Sequence, residues 1–213
     1  LGDALASPIG LLVGLAVVVV GFLAGSPWII TVLRSTTKPT GDTVDRLDAL
    51  QTRAGLDVRD VRILDTEAEE TANALVRGPP RYRRLFVTST FLERFDDDTA
   101  AALLAVQAGR VRARLLARRA GTVIVAGVLL VAAVTGSDAR WLLVAAAVGV
   151  VLVGFWLTRR GVRAADEYAA AQVGASTVVD AFERYAAVHS MEPSRRRVPN
   201  PLSVNVALGD RID

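Results

Sequence analysis

A chain of 213 residues that is 52% hydrophobic with a net charge of +3, and whose mean hydropathy is +0.37, is too apolar for an ordinary water-soluble domain of its length. Having no cysteine, it forms no disulfide and offers no thiolate ligand, and His189, its one histidine, argues against a histidine-based zinc site. The basic residues are almost all arginine, with Lys38 the sole lysine; a GC-rich coding sequence explains that bias at least as well as a nucleic-acid partner, and no nucleic-acid partner is expected.

The apolar excess is concentrated in three segments. Residues 9–33 are nearly continuous hydrocarbon, interrupted by glycines, Ser26, Pro27 and Thr31. At about 1.5 Å per residue this run is long enough for a roughly 30 Å bilayer core. A signal peptide is the alternative, but the run is too long and lacks a basic start and a small-x-small cleavage site. Two further runs, 120–135 and 141–157, are separated only by Gly136-Ser-Asp-Ala-Arg140, a turn-sized connector. Neither shows the polar face of a soluble amphipathic helix, so together they predict a transmembrane hairpin.

Arginines orient these spans. Arg112, Arg114, Arg118 and Arg119 precede the hairpin and Arg159, Arg160 and Arg163 follow it; Arg34 and Lys38 follow the first span, and Asp3 precedes it. The positive-inside rule then places the basic flanks in the cytoplasm. The expected arrangement is a transmembrane helix in 1–34, a hairpin in 120–157, and one polar cytoplasmic domain assembled from 35–119 and 158–213. The expected location is the cell membrane, multi-pass, with the lipid bilayer as one partner.

The polar segments alternate short elements. Val44, Leu47 and Leu50 recur at helical spacing over 43–54, and Gly55 ends that helix. Strands are expected at 61–64, at 73–78 and from Leu85, with acidic Glu67, Glu69 and Glu70 on a solvated turn. A short helix over 90–95 leads to Asp96-Asp97-Asp98. These aspartates read as the cap of one helix from Asp98 to Arg114, with Asp98 as capping residue, rather than as a cation site. After the hairpin, one helix continues through 159–174 and another covers 177–189, with His189 at its end. The tail from Pro193 is rich in arginine and proline. No repeat, phosphate-binding glycine loop or Ser/His/Asp constellation is present.

Three stretches carry a resemblance. Asn73-Ala-Leu-Val-Arg-Gly78 resembles an Asn-Ala-Phe-Ala-x-Gly strand, and Leu85-Phe-Val-Thr-Ser-Thr-Phe-Leu92 a strand and short helix leading into a zinc-binding helix. Ala102-Leu-Leu-Ala-Val-Gln-Ala-Gly-Arg110 falls on Ala-Val-Leu-Ala-His-Glu-Leu-Gly-His, and Val162-Arg-Ala-Ala-Asp-Glu-Tyr-Ala169 keeps the second half of Glu-x-x-Ala-Asp-x-x-Ala. The chain thus resembles the HtpX-type membrane zinc metallopeptidases, relatives of the CAAX prenyl proteases, over most of 43–190. The resemblance implies an α+β membrane protein: a mainly helical, gluzincin-like domain with a small sheet, and about three transmembrane helices.

It also implies which residues occupy the active-site positions. Val106 and Arg110 stand at the two histidine ligands, Val162 at the glutamate ligand, and Gln107 at the general base. Catalytic zinc needs about three protein ligands and a base for its water. No catalytic residue, metal ligand or cofactor is therefore expected, and the implied protein is a pseudo-protease. Its expected role is that of a protein-binding or regulatory membrane subunit with a membrane or cytoplasmic protein partner, which an exposed edge strand near Leu85–Thr88 could engage. The alternative is an active membrane metalloendopeptidase with an unrecognised zinc site. Residues 106 and 110 share a helix face, as do 162 and 166. Arg110 is accordingly expected to pair with the surviving Asp166, or with Glu167, while Val106 and Val162 fill the vacated volume.

Overall fold

The computed structural model describes residues 7–65, 71–135 and 138–189. The acidic turn at Glu67–Glu70, part of the hairpin connector and the tail from Pro193 lie outside the described residues.

Helix α1, Pro8–Leu33, begins where the Ser7 hydroxyl accepts the Gly10 amide at 3.0 Å, with proline at its first position. It contains Pro27, which has no amide to donate, and bends by 57° between Ala16–Phe22 and Gly25–Leu33. The segment after the bend meets the loop at residues 78–83, and Arg84. Pro27 packs at the positive-φ Gly78, Trp28 lies 6.4 Å from the Tyr82 ring, and Arg84 sits over Trp28.

Strand β1, Thr36–Thr37, leads to α2, Asp42–Ala54, which buries Leu47, Leu50 and Ala54 and ends at left-handed Gly55. Strands β2 (Asp60–Leu64), β3 (Ala74–Arg77) and β4 (Arg84–Thr88) complete one sheet in the order β1-β2-β4-β3. β4 runs parallel to β2, pairing Ile63 with Val87, and antiparallel to β3, pairing Leu75 with Phe86. With a neighbour on each side, β4 buries Leu85, Phe86 and Val87 completely. This corrects the sequence expectation. Leu85–Thr88 is an interior strand, and the terminal strand on that side is β3.

The short helix α3, Ser89–Arg94, starts at Thr88, whose hydroxyl accepts from Phe91. Helix α4, Asp97–Arg112, is the hub of the polar domain and packs against α2, β3 and the two helices that follow the hairpin turn. Small residues make this possible. Ala100, Ala101, Ala102 and Ala105 are fully buried on several sides of α4, letting neighbouring backbones approach without large side chains between them. Leu104, Phe91 and Phe95 supply the bulk of the core with Leu47 and Phe182.

The chain does not continue helically to Arg114. Arg114 takes φ 51°, a left-handed conformation that costs a residue with a Cβ about 1–2 kcal/mol. There the chain turns into α5, Leu115–Val134. After the connector, α6 runs without a break from Arg140 to Val173, and α7 covers Ala175–Val188. Both α5 and α6 are long and apolar enough to cross a membrane, and α1 makes a third if its bent halves form one span. Val134, Trp141 and Leu142 are 73–85% exposed, which suits hydrocarbon surroundings and not water.

Candidate functional site

The N-terminus of α4 is held by three aspartates acting separately. Asp96, not Asp98, is the capping residue: its carboxylate accepts the Thr99 amide at 2.8 Å. Hydrogen bonds from Thr99, with Arg184 nearby, hold the Asp96 carboxyl below its ordinary range. Among the described residues, Asp96 pairs with Arg184, Asp97 with Arg46 at 2.7 Å and Asp98 with Arg53 at 2.6 Å. Arg46 also donates to the carbonyls of Leu92 and Phe95. The triplet therefore ties α4 to α2, α3 and α7 instead of converging on one ion.

About three turns further along, α4 meets α6 at its closest. A Cβ added to Gly109 would lie 2.5 Å from the Ala165 carbonyl oxygen and 2.6 Å from its Cα. The contacts continue as Gly161 against Leu115 and Gly154 against Thr122. Rising numbers on one side meet falling numbers on the other, so α6 runs antiparallel to α4 and α5. The retained Ala165 and Ala169 are fully buried at this crossing. Tyr168 lies between them in sequence, hydrogen-bonds the Gly55 carbonyl at 3.2 Å and carries Arg112 over its ring at 5.3 Å.

The positions singled out in the sequence gather around that crossing. Val106, Gln107 and Arg110 line one cleft of about 100 Å³ together with Asn73, Phe91 and Tyr185. Val106 is 3% and Val162 7% exposed, so both valines bury hydrocarbon at the positions that the sequence resemblance matches to zinc ligands. Val162 is not among the residues lining the cleft. Asp166 is half-buried and Glu167 exposed on α6. The described ion pairs also include Arg62–Asp60 and Arg84–Asp60. Arg110 follows Gly109 on α4 and Asp166 follows Ala165 on α6, so both adjoin the closest approach of the two helices.

These side chains do not suit a catalytic zinc ion. Valine has no donor atom, the guanidinium of Arg110 is a cation without a lone pair to give, and a glutamine amide is not a base. Among the described residues, no three His, Cys, Asp or Glu side chains are grouped as a metal site. His189 is the C-cap of α7, with its ring stacked on Tyr185 at 4.1 Å and Nδ1 2.9 Å from the Tyr185 carbonyl.

Sequence reasoning misses three contributors to the cleft. Tyr185 and Phe182 stand one turn apart and read as core residues, yet both line it. Asn73 was read only as the start of a strand. Its amide donates to the Thr88 hydroxyl at 2.9 Å and its carbonyl accepts the Thr88 amide at 3.0 Å, fixing the end of β3 at the cleft mouth. The Asn-x-x-x-x-Gly stretch was the available signal.

No protein-family profile matches the chain, and no curated protein matches it in sequence. In three dimensions it is similar to the crystal structure of S. mikatae Ste24p, with a TM-score of 0.70 at 13% identity. The match covers 96% of this chain and 56% of that one, so this chain spans little more than half of the larger protein. At that identity the likeness establishes the fold, which is of the Ste24/HtpX-like metallopeptidase type.

Proposed function

We propose that this chain is an integral-membrane pseudo-protease that binds or regulates a protein partner and performs no zinc-dependent hydrolysis. One observation carries the reading. The α4–α6 crossing is kept to backbone contact at Gly109 and Ala165, while the positions that would hold metal and base around it are Val106, Gln107, Arg110 and Val162. A scaffold retained around vacated chemistry is suited to binding. β3 is one of the two terminal strands among the described residues, with Asn73 and Ala74 at its start beside the cleft. An extended segment of the partner would pair with β3 by main-chain hydrogen bonds and run along the cleft.

Purified protein is expected to show no chelator-sensitive proteolysis of unfolded soluble or membrane substrates. Gln107→Glu alone should leave it inactive, because a base without a metal-bound water has nothing to activate. Recovery of cleavage by that single change, or stoichiometric zinc retained through dialysis of the unaltered protein, would overturn the proposal in favour of a metalloendopeptidase.

The proposed orientation has both polar segments in the cytoplasm, on the strength of the arginines flanking α1, α5 and α6. A reporter inserted in the connector at residues 136–140 should then be accessible only from outside the cell. A cytoplasmic signal from that fusion reverses the topology.

A further inference from the structure

A groove of about 530 Å³ runs along the hairpin between α5 and α6. The two helices touch where Gly154 meets Thr122, but the groove floor is open: a Cβ on Gly121 or Gly149 would find nothing within 4 Å. Val125, Val153 and Leu157 form apolar walls. The one hydroxyl in the lining, on Thr122, bonds back to the Arg118 carbonyl at 3.0 Å and so presents no polar demand to an occupant.

One end of the groove is cationic. Arg118 belongs to its lining and reaches across to α6, where Gly161 leaves room; a Cβ there would sit 3.1 Å from the Arg118 Nη1. At the same end Arg160 lies over the Trp156 ring at 5.6 Å, and at the far end of the span Arg140 lies over Trp141 at 5.7 Å. Tryptophan and arginine together mark the two bilayer interfaces. Along α6 the lining reaches from Leu157 to Ala146, about 16 Å of helix, which is close to half of a roughly 30 Å hydrocarbon core. That length decides the occupant. A transmembrane helix of a partner would need a groove through both leaflets, whereas an acyl chain needs one leaflet and a headgroup site at its mouth.

We propose that the α5–α6 groove holds one acyl chain of an anionic phospholipid, with Arg118 on the lipid phosphate. The site requires only that α5 and α6 cross the bilayer, and it is independent of the pseudo-protease reading.

The test uses the full chain in neutral detergent, offered an equimolar mixture of phosphatidylglycerol and phosphatidylcholine, with bound lipid measured by mass spectrometry after washing. Wild-type protein should retain lipid with about fivefold enrichment of phosphatidylglycerol, the preference one arginine near an anionic surface supports. Arg118→Gln should abolish the enrichment. Gly149→Leu should remove lipids of both headgroups without lowering the melting temperature, since its Cβ meets no atom within 4 Å and the side chain enters the open groove. Excess inorganic phosphate should leave retention unchanged. Unaltered retention in Gly149→Leu, persistent enrichment in Arg118→Gln, or release by inorganic phosphate would each overturn the proposal. So would a wild-type dimer that Gly149→Leu converts to monomer, since the occupant would then be a second copy.

Discussion

Replacing Gly109 by valine is expected to lower stability by about 3 kcal/mol, the upper end of what overpacking costs. The reason is the identity of the obstructing atoms. A Cβ at 109 meets the Ala165 backbone at 2.5–2.6 Å, not the movable end of a side chain. Relief requires α4 and α6 to separate, and that would disturb the fully buried Ala105 and Ala169. Removing a helical glycine returns at most about 1 kcal/mol of propensity, which does not offset the clash. Domains are stable by only about 5–15 kcal/mol, so the loss should appear as a large fall in the melting temperature in detergent. Gly121→Ala, with no atom within 4 Å of the added Cβ, is the control and should melt like the parent. Parental melting of Gly109→Val would mean that the crossing is not as close as described.

The second large effect is a gain of metal. Replacing Val106 and Arg110 by histidine, Gln107 by glutamate and Val162 by glutamate should give a protein that retains about one zinc per chain through dialysis. Residues 106 and 110 lie one turn apart on α4. Val162 precedes Ala165 by one turn on the antiparallel α6, on the same side of the crossing as Arg110. Positions 106 and 162 are almost completely buried, so the new imidazole and carboxylate are poorly solvated without a metal. The variant should therefore melt lower than the parent when apo and recover with zinc, a shift that chelator reverses. Adding Asp166→Ala in that background should weaken zinc binding by about 10–100-fold, because the sequence resemblance implies that this carboxylate would orient a ligating histidine. A folded variant that takes up no zinc would show that α4 and α6 do not bring these positions around one point.

The local features were legible in the residues. Unbroken apolar runs announced the hairpin, and α5 and α6 contain them, because a segment without a polar face has few places to fold except a bilayer or a core. Helical spacing of Val44, Leu47 and Leu50 marked α2, and Gly55 takes the left-handed conformation that ends it. His189 stands at a helix end, as expected. Order of elements also carried over. The strand, short helix, small-residue helix and hairpin follow one another as the resemblance to membrane metallopeptidases implied, and the likeness to Ste24p agrees with that fold.

What the residues alone left undecided depends on partners distant in sequence. A run such as Leu85-Phe-Val says that a strand is buried, but both an interior strand and a covered edge satisfy it; pairing with β2 and β3 made β4 interior and left β3 at the end. Three adjacent aspartates can each cap a helix, and the choice of Asp96 follows from the approach of Arg184, Arg46 and Arg53 to Asp96, Asp97 and Asp98. Nothing local distinguishes Arg114 from the helical arginines around it, yet the chain breaks there because α5 must leave α4 to run beside α6. Periodicity and capping are properties of a few consecutive residues and can be read from them. Strand order, crossing sense and cleft lining are set by which surfaces meet, and only the folded chain decides that.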